Sequence, residues 1–127
     1  MIKFTIPICP VTKKNNQRIL KNRRTGKRFI APSEKFELYQ EQALFFVPYR
    51  DNPIDYAVTV KCLFFMETHR TVDLTNLLES IDDIMVKKGL LKDDNYKIIE
   101  SHDGSRVLFD KNRPRTEVYI ERVENSE

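Results

Sequence analysis

Between His69 and Asp94 the chain reads HRTVDLTNLLESIDDIMVKKGLLKDD, and this stretch leaves the rest of the molecule few choices. Leu77, Leu78, Ile81, Ile84 and Met85 recur at steps of three and four, the period of a helix with one buried side. Asn76, Glu79, Asp83 and Lys87 keep the same steps along another edge and form a polar stripe. Gly89 ends the helix, as a residue that accepts positive φ does just past a C-terminus. Asp73 stands before the first turn, and Asp93 and Asp94 follow the segment 89–92. A helix from Asn76 to Lys88 is about 20 Å long, and residues 89–94 reach back by at most about 20 Å. A direct meeting of Asp73 and Asp94 is therefore stretched, whereas Glu79 and Asp83 lie nearer the middle.

Carboxylates crowded on one rigid element raise one another's pKa unless a cation neutralises them, and Mg²⁺ is the usual cation for all-oxygen ligands. The same residues also fit a solvated acidic face followed by an Asp-Asp-Asn turn. The charge distribution bears on the choice. The net charge is only +3, but residues 13–35 carry nine basic side chains against the single acid Glu34, and residues 73–103 carry eight acids against four lysines. A basic arm attracts a polyanion by counterion release, and an acidic cluster repels the same polyanion unless metal ions bridge the two. Together they point to phosphodiester chemistry. A protein-interaction module without nucleic acid is disfavoured by the arm.

With 127 residues, 40% of them apolar, the chain fits one domain over 1–123 that needs no staples, and Glu124 to Glu127 is expected to be a disordered tail. Cys9 and Cys62 have neither the number nor the spacing of a disulfide framework or a zinc site. No apolar run is long enough to span a bilayer, and the start MIKFTIPICP lacks the pattern of a secretory signal, so no membrane association and a cytoplasmic location are expected.

In order, Ile2, Phe4, Ile6 and Ile8 alternate as a half-buried strand, which Pro7 and Pro10 confine to a sheet edge. Segments 18–21 and 27–31 flank the turn-rich tip 22–26 and predict a basic hairpin or ordered loop. Ser33 caps a first helix with the stripe Phe36, Tyr39, Ala43, Phe46 and Val47, stopped by Pro48. Tyr56 to Met66 is apolar on both faces towards its end, which suits a central strand. It delivers residues 68–73 to the edge of the sheet just before the acidic helix. Strands are further expected at 96–100, 107–109 and 116–123. The fold class is α+β, a mixed sheet with two helices. His69 and His102 stand isolated and read as surface or structural.

The residues Arg70, Asp73-Leu74, Asn76-Leu77, Asp83, Gly89 and Asp93-Asp94 carry a resemblance. Preceded by Asn15-Asn16 and Pro32-Ser33, and followed by Pro114-Arg115-Thr116, they resemble the RusA family of Holliday junction resolvases, common in prophages. The resemblance implies a homodimeric, Mg²⁺-dependent endonuclease, with Mn²⁺ as a substitute, that nicks four-way DNA junctions in pairs and serves recombination and repair in a bacterial or phage setting. It matches Asp73 and Asp94 to essential aspartates and Asp83 to the aspartate within the helix. The expected catalytic residues are thus Asp73, Asp83, Asp94 and Glu79, and the expected metal ligands are these four with Asp93. Lys13, Lys14, Asn15, Asn16, Arg18, Arg23, Arg24, Lys27, Arg28 and Arg70 are the expected DNA contacts. Thr75, Asn76 and Lys92 are auxiliary.

Two positions depart from the family pattern. Thr75 stands where a carboxylate is common, and Glu79 where a lysine is. Glu79, one turn above Thr75, has the longer side chain and is expected to replace the missing ligand. The lost lysine is expected from Lys92, Arg70 or the arm. The alternatives are a junction-binding protein weakened in catalysis by these departures, and a nuclease for other DNA or RNA structures.

Overall fold

A computed structural model describes residues 1–13 and 17–124, so the expectations for Lys14, Asn15, Asn16 and the tail at 125–127 lie outside the described residues. In chain order the elements are β1 (Ile2–Ile6), β2 (Gln17–Lys21), β3 (Arg28–Pro32), α1 (Glu34–Leu44), β4 (Val58–Met66), α2 (Leu74–Lys88), β5 (Ile99–Ser101), β6 (Arg106–Phe109) and β7 (Arg115–Arg122). This is the α+β class that the order of periodicities predicts, a mixed sheet with two helices.

The strand with apolar residues on both faces is the middle one. The sheet runs β1-β7-β4-β5, and β6 also pairs with β4. β7 runs antiparallel to β4, with Val60 opposite Ile120, Cys62 opposite Val118 and Phe64 opposite Thr116. On the other side β5 and β6 run parallel to the first and second halves of β4. β1 occupies an edge, where the prolines that follow it take no ladder donor away. β2 and β3 form a separate two-stranded sheet.

Burial of one helix side fixes α2. Leu77, Ile81, Ile84 and Met85 are buried in one cluster with Val58, Val60, Cys62 and Phe64 of β4. Gly89 adopts φ 89°, and Leu90 N–H closes the C-terminal turn on the carbonyl of Met85. Buried Leu90 and Leu91 then hold the chain in a parallel bridge between Leu91 and Ile54. Residues 92–94 are thereby returned towards the helix.

Two of the boundaries that differ from expectation have a clear local cause. α1 ends at Leu44, not at Pro48, because Phe45 and Phe46 N–H groups tighten the last turn onto Gln42 and Ala43, and this leaves Phe46 43% exposed. The strand expected from Tyr96 begins only at Ile99: the carbonyl of Asn95 takes the N–H groups of Ile98 and Ile99, its side chain takes that of Lys97, and residues 95–98 become a turn. Among the described residues no helix is long and apolar enough to cross a membrane.

Arg115 ties the start of β7 to its surroundings. Its Nε donates to Glu117 at 2.8 Å, its Nη1 donates to Asp110 at 2.9 Å, and its guanidinium lies 3.8 Å from the Phe65 ring centre. The hydrogen bond from Arg115 holds the Glu117 carboxyl below its ordinary value. A depressed carboxylate contributes stability above its unfolded pKa, about 4.3, and loses it as pH falls through the folded value. Arg115→Met is expected to lower stability at pH 7, with the gap to wild type closing in acid. Urea unfolding at both pH values checks this; an unchanged gap would assign the effect to packing on Phe65.

Candidate active site

The polar stripe of α2 emerges as the face where charges meet. Asp83, half-buried, is raised above the usual carboxylate range first by burial and then by Asp94 and Glu79, while Lys13 pulls it down. The turn back through Leu91 thus brings Asp94 to bear on the middle of the helix, the position reach arguments favour over its N-terminus. Lys13 arrives from the segment after β1, its backbone N–H donating to Ser80 Oγ at 3.4 Å while Ser80 donates to the Asn76 carbonyl at 3.0 Å. The Asn76 carbonyl is thus tied to Ser80, and through it to the Lys13 backbone.

A neighbour that sequence reasoning passed over is Asp82. It is only 8% exposed, and its Oδ2 lies 2.8 Å from His102 Nε2. His102 Nδ1 lies 2.9 Å from the carbonyl of Val60, which can only accept, so Nδ1 carries a proton. The Asp82–His102 contact then holds a second proton, as imidazolium with carboxylate or imidazole with carboxylic acid. Burial, with Asp94 and Asp83 adding to it, raises Asp82 against the opposing pull of His102. Burial lowers His102, but the hydrogen bond and charge of Asp82 outweigh it and leave the imidazole raised. His102 is accordingly not isolated, which corrects the sequence expectation. The signal was present: Asp82 falls between Leu78, Ile81 and Met85 on the apolar side, and a buried acid requires a partner.

Asp73 opens α2. It is the N-cap residue of α2, yet its side chain does not cap; Asp73 Oδ1 accepts from Thr75 Oγ1 at 3.2 Å. Asp73 is not among the charges acting on Asp82 or Asp83. It borders an open cleft of about 710 Å³ between residues 9–12 and 66–73, lined also by Arg70 and Lys35. Lys35 is a cation at this cleft that the expected DNA contacts omit; its place at the start of a helix beside the basic arm was the available signal. Asp93 is engaged in its own turn, Oδ1 accepting from Asp94 N–H at 2.7 Å and Oδ2 from Asn95 Nδ2 at 3.0 Å, and the first of these bonds lowers its carboxyl most. Lys92 and Glu79 are exposed.

The basic arm is a hairpin with a shaped tip. Asn22 N–H donates to the Lys27 carbonyl at 2.8 Å, Asn22 Oδ1 accepts from Arg24 N–H at 2.8 Å, and Gly26 supplies φ 73°. Arg23, Arg24, Lys27 and Arg28 are exposed on it, and Arg18 belongs to β2. The fit to Mg²⁺ divides in two. The donor chemistry suits a hard divalent cation, all carboxylate oxygen with Asp94 and Glu79 pressing on Asp83. The geometry of a complete site is not assembled: among the described residues no group of three His, Cys, Asp or Glu converges closely enough to hold a metal ion.

No family model matches the chain. Over 59 residues it is 32% identical to the crossover junction endodeoxyribonuclease RusA of Aquifex aeolicus, a match covering 46% of this chain and 46% of that protein. The similarity thus spans under half the length of the relative, and under half of this chain.

Proposed function

We propose that this chain is a metal-dependent endodeoxyribonuclease that resolves four-way DNA junctions by paired nicks, working as a homodimer in the cytoplasm of a bacterial or phage-infected cell. The observation that carries the reading is the pressure of Asp94 and Glu79 on Asp83, on the helix face reached by Lys13. Such repulsion is tolerated in a protein whose working state includes a cation. The partial similarity to a crossover junction endodeoxyribonuclease supports the same chemistry.

Mg²⁺, or Mn²⁺ in its place, would be held by Asp83 and Asp94 with Glu79, Asp73 and Asp93 as further donors, and when bound it supplies an acidified water and neutralises charge on the phosphate. The chain's own residues supply the rest. Arg23, Arg24, Lys27, Lys35 and Arg70 contact phosphates without reading bases, so recognition is by shape and weakens steeply with salt. Lys13 balances the acidic face and keeps it from repelling the strand.

A labelled four-way junction and its matching linear duplex, each with Mg²⁺ or EDTA, test the reading. Symmetric nicks are expected in the junction alone, absent in EDTA and in Asp94→Asn. Binding without nicks would favour a second reading, a junction-binding protein without catalysis, which the unassembled three-ligand geometry supports. Cleavage of flaps, single strands or RNA in preference to junctions would replace the substrate.

A further inference from the structure

Two exposed faces are left uncovered, one on the hairpin and one on α1. In the hairpin Ile19 pairs with Ile30 and Lys21 with Arg28, so the four side chains share one face. Ile19 is 71% and Ile30 67% exposed. Two like charges directly opposite one another destabilise a ladder, and bare isoleucines beside them add a second cost. On α1, Phe36, Tyr39 and Ala43 are buried, while Glu34, Leu38, Glu41 and Phe45 lie opposite them at steps of four, three and four. Leu38 is 56% and Phe45 81% exposed.

The two faces complement each other. The helix face alternates acid and apolar residues, and the hairpin face sets an apolar pair beside a basic pair. Along β2, alternate residues are about 6.6 Å apart, and along α1 Glu41 and Phe45 are about 6 Å apart. Isoleucines seated on Phe45 therefore bring Lys21 and Arg28 to Glu41. An acidic face repels nucleic acid, so its apolar residues call for protein.

We propose that the hairpin of one copy docks on α1 of a second copy, and reciprocally, giving a two-fold dimer. Each contact occurs twice and no complementary face is left to recruit a third copy. The tip residues Arg23 and Arg24 remain outside the pairing, available to phosphate. Only the use of this dimer rests on the proposed nuclease function, in which paired nicks require two sites on one junction.

Sedimentation equilibrium of the full chain without DNA or metal tests the pairing. Wild type is expected at twice the chain mass. Arg28→Glu and Glu41→Lys each set like charges together and are expected to weaken association more than about tenfold. Mixing these two variants restores a dimer, because the acidic hairpin meets the basic helix and the two untouched faces meet each other. Leu38→Ser, at a position outside the core, also weakens association. A single-chain wild type, variants that stay paired, a mixture that stays single, or association only after DNA is added each overturns the proposal. Junction nicking by a chain that sediments singly would overturn the surface and the homodimer but leave the metal-dependent nuclease chemistry standing; a dimer without nicking would overturn that chemistry and leave the surface.

Discussion

Replacing His102 by alanine is expected to cost the folded state about 1 to 3 kcal/mol, the scale for leaving a buried polar group without its partner. Asp82 Oδ2 loses the imidazole 2.8 Å away, while Oδ1 is already buried without a hydrogen-bond partner among the described residues. The carbonyl of Val60 loses its imidazole donor as well. The effect belongs to the pair and not to the histidine alone, so Asp82→Leu combined with His102→Leu should recover most of the loss, since apolar side chains of similar volume replace a buried pair at little cost. Urea unfolding of the two variants and wild type measures both terms. A loss below 1 kcal/mol for His102→Ala, or a double variant no better than the single, would show that the contact stabilises nothing.

This pair also marks how far the sequence could be read. Helical and alternating periodicities placed both helices, the central strand and the edge strand, because each reports a buried side that one residue's slip would expose. They did not place Asp82, since a pattern of apolar residues says nothing of an acid lodged among them until its partner is known. His102 comes from the turn after β5, twenty positions away in sequence. The turn at 95–98 was missed for a related reason: Asn95 competes for backbone N–H groups that a strand would have used. Of the expected site, Asp94 and Glu79 both act on Asp83, as the reach of the segment after Gly89 suggested. Asp73 borders the cleft of Arg70 and Lys35, a neighbourhood that local spacing could not show.

Glu79→Ala is expected to lower Mg²⁺-dependent junction cleavage more than about 100-fold, beyond what loss of an outer-shell partner costs, with junction affinity unchanged. The reason lies in two departures taken together. Thr75 has no carboxylate, and its hydroxyl is spent on Asp73 at 3.2 Å. Glu79 stands one helical turn further on, exposed, and its charge acts on Asp83. If Glu79 completes the ligand set, Glu79→Gln should be nearly as inactive as Glu79→Ala, because the amide keeps the size and hydrogen bonding but not the charge. Both variants should also need more Mn²⁺ to reach half-maximal rate, whereas salt dependence of binding should stay as in wild type, since Glu79 contacts no phosphate in this scheme. Cleavage by Glu79→Ala within a few-fold of wild type would sink the substitution idea and return the missing ligand to Asp73 or Asp93. Faster cleavage or tighter binding would mean instead that Glu79 only repels the strand, its charge a cost that Lys13 offsets.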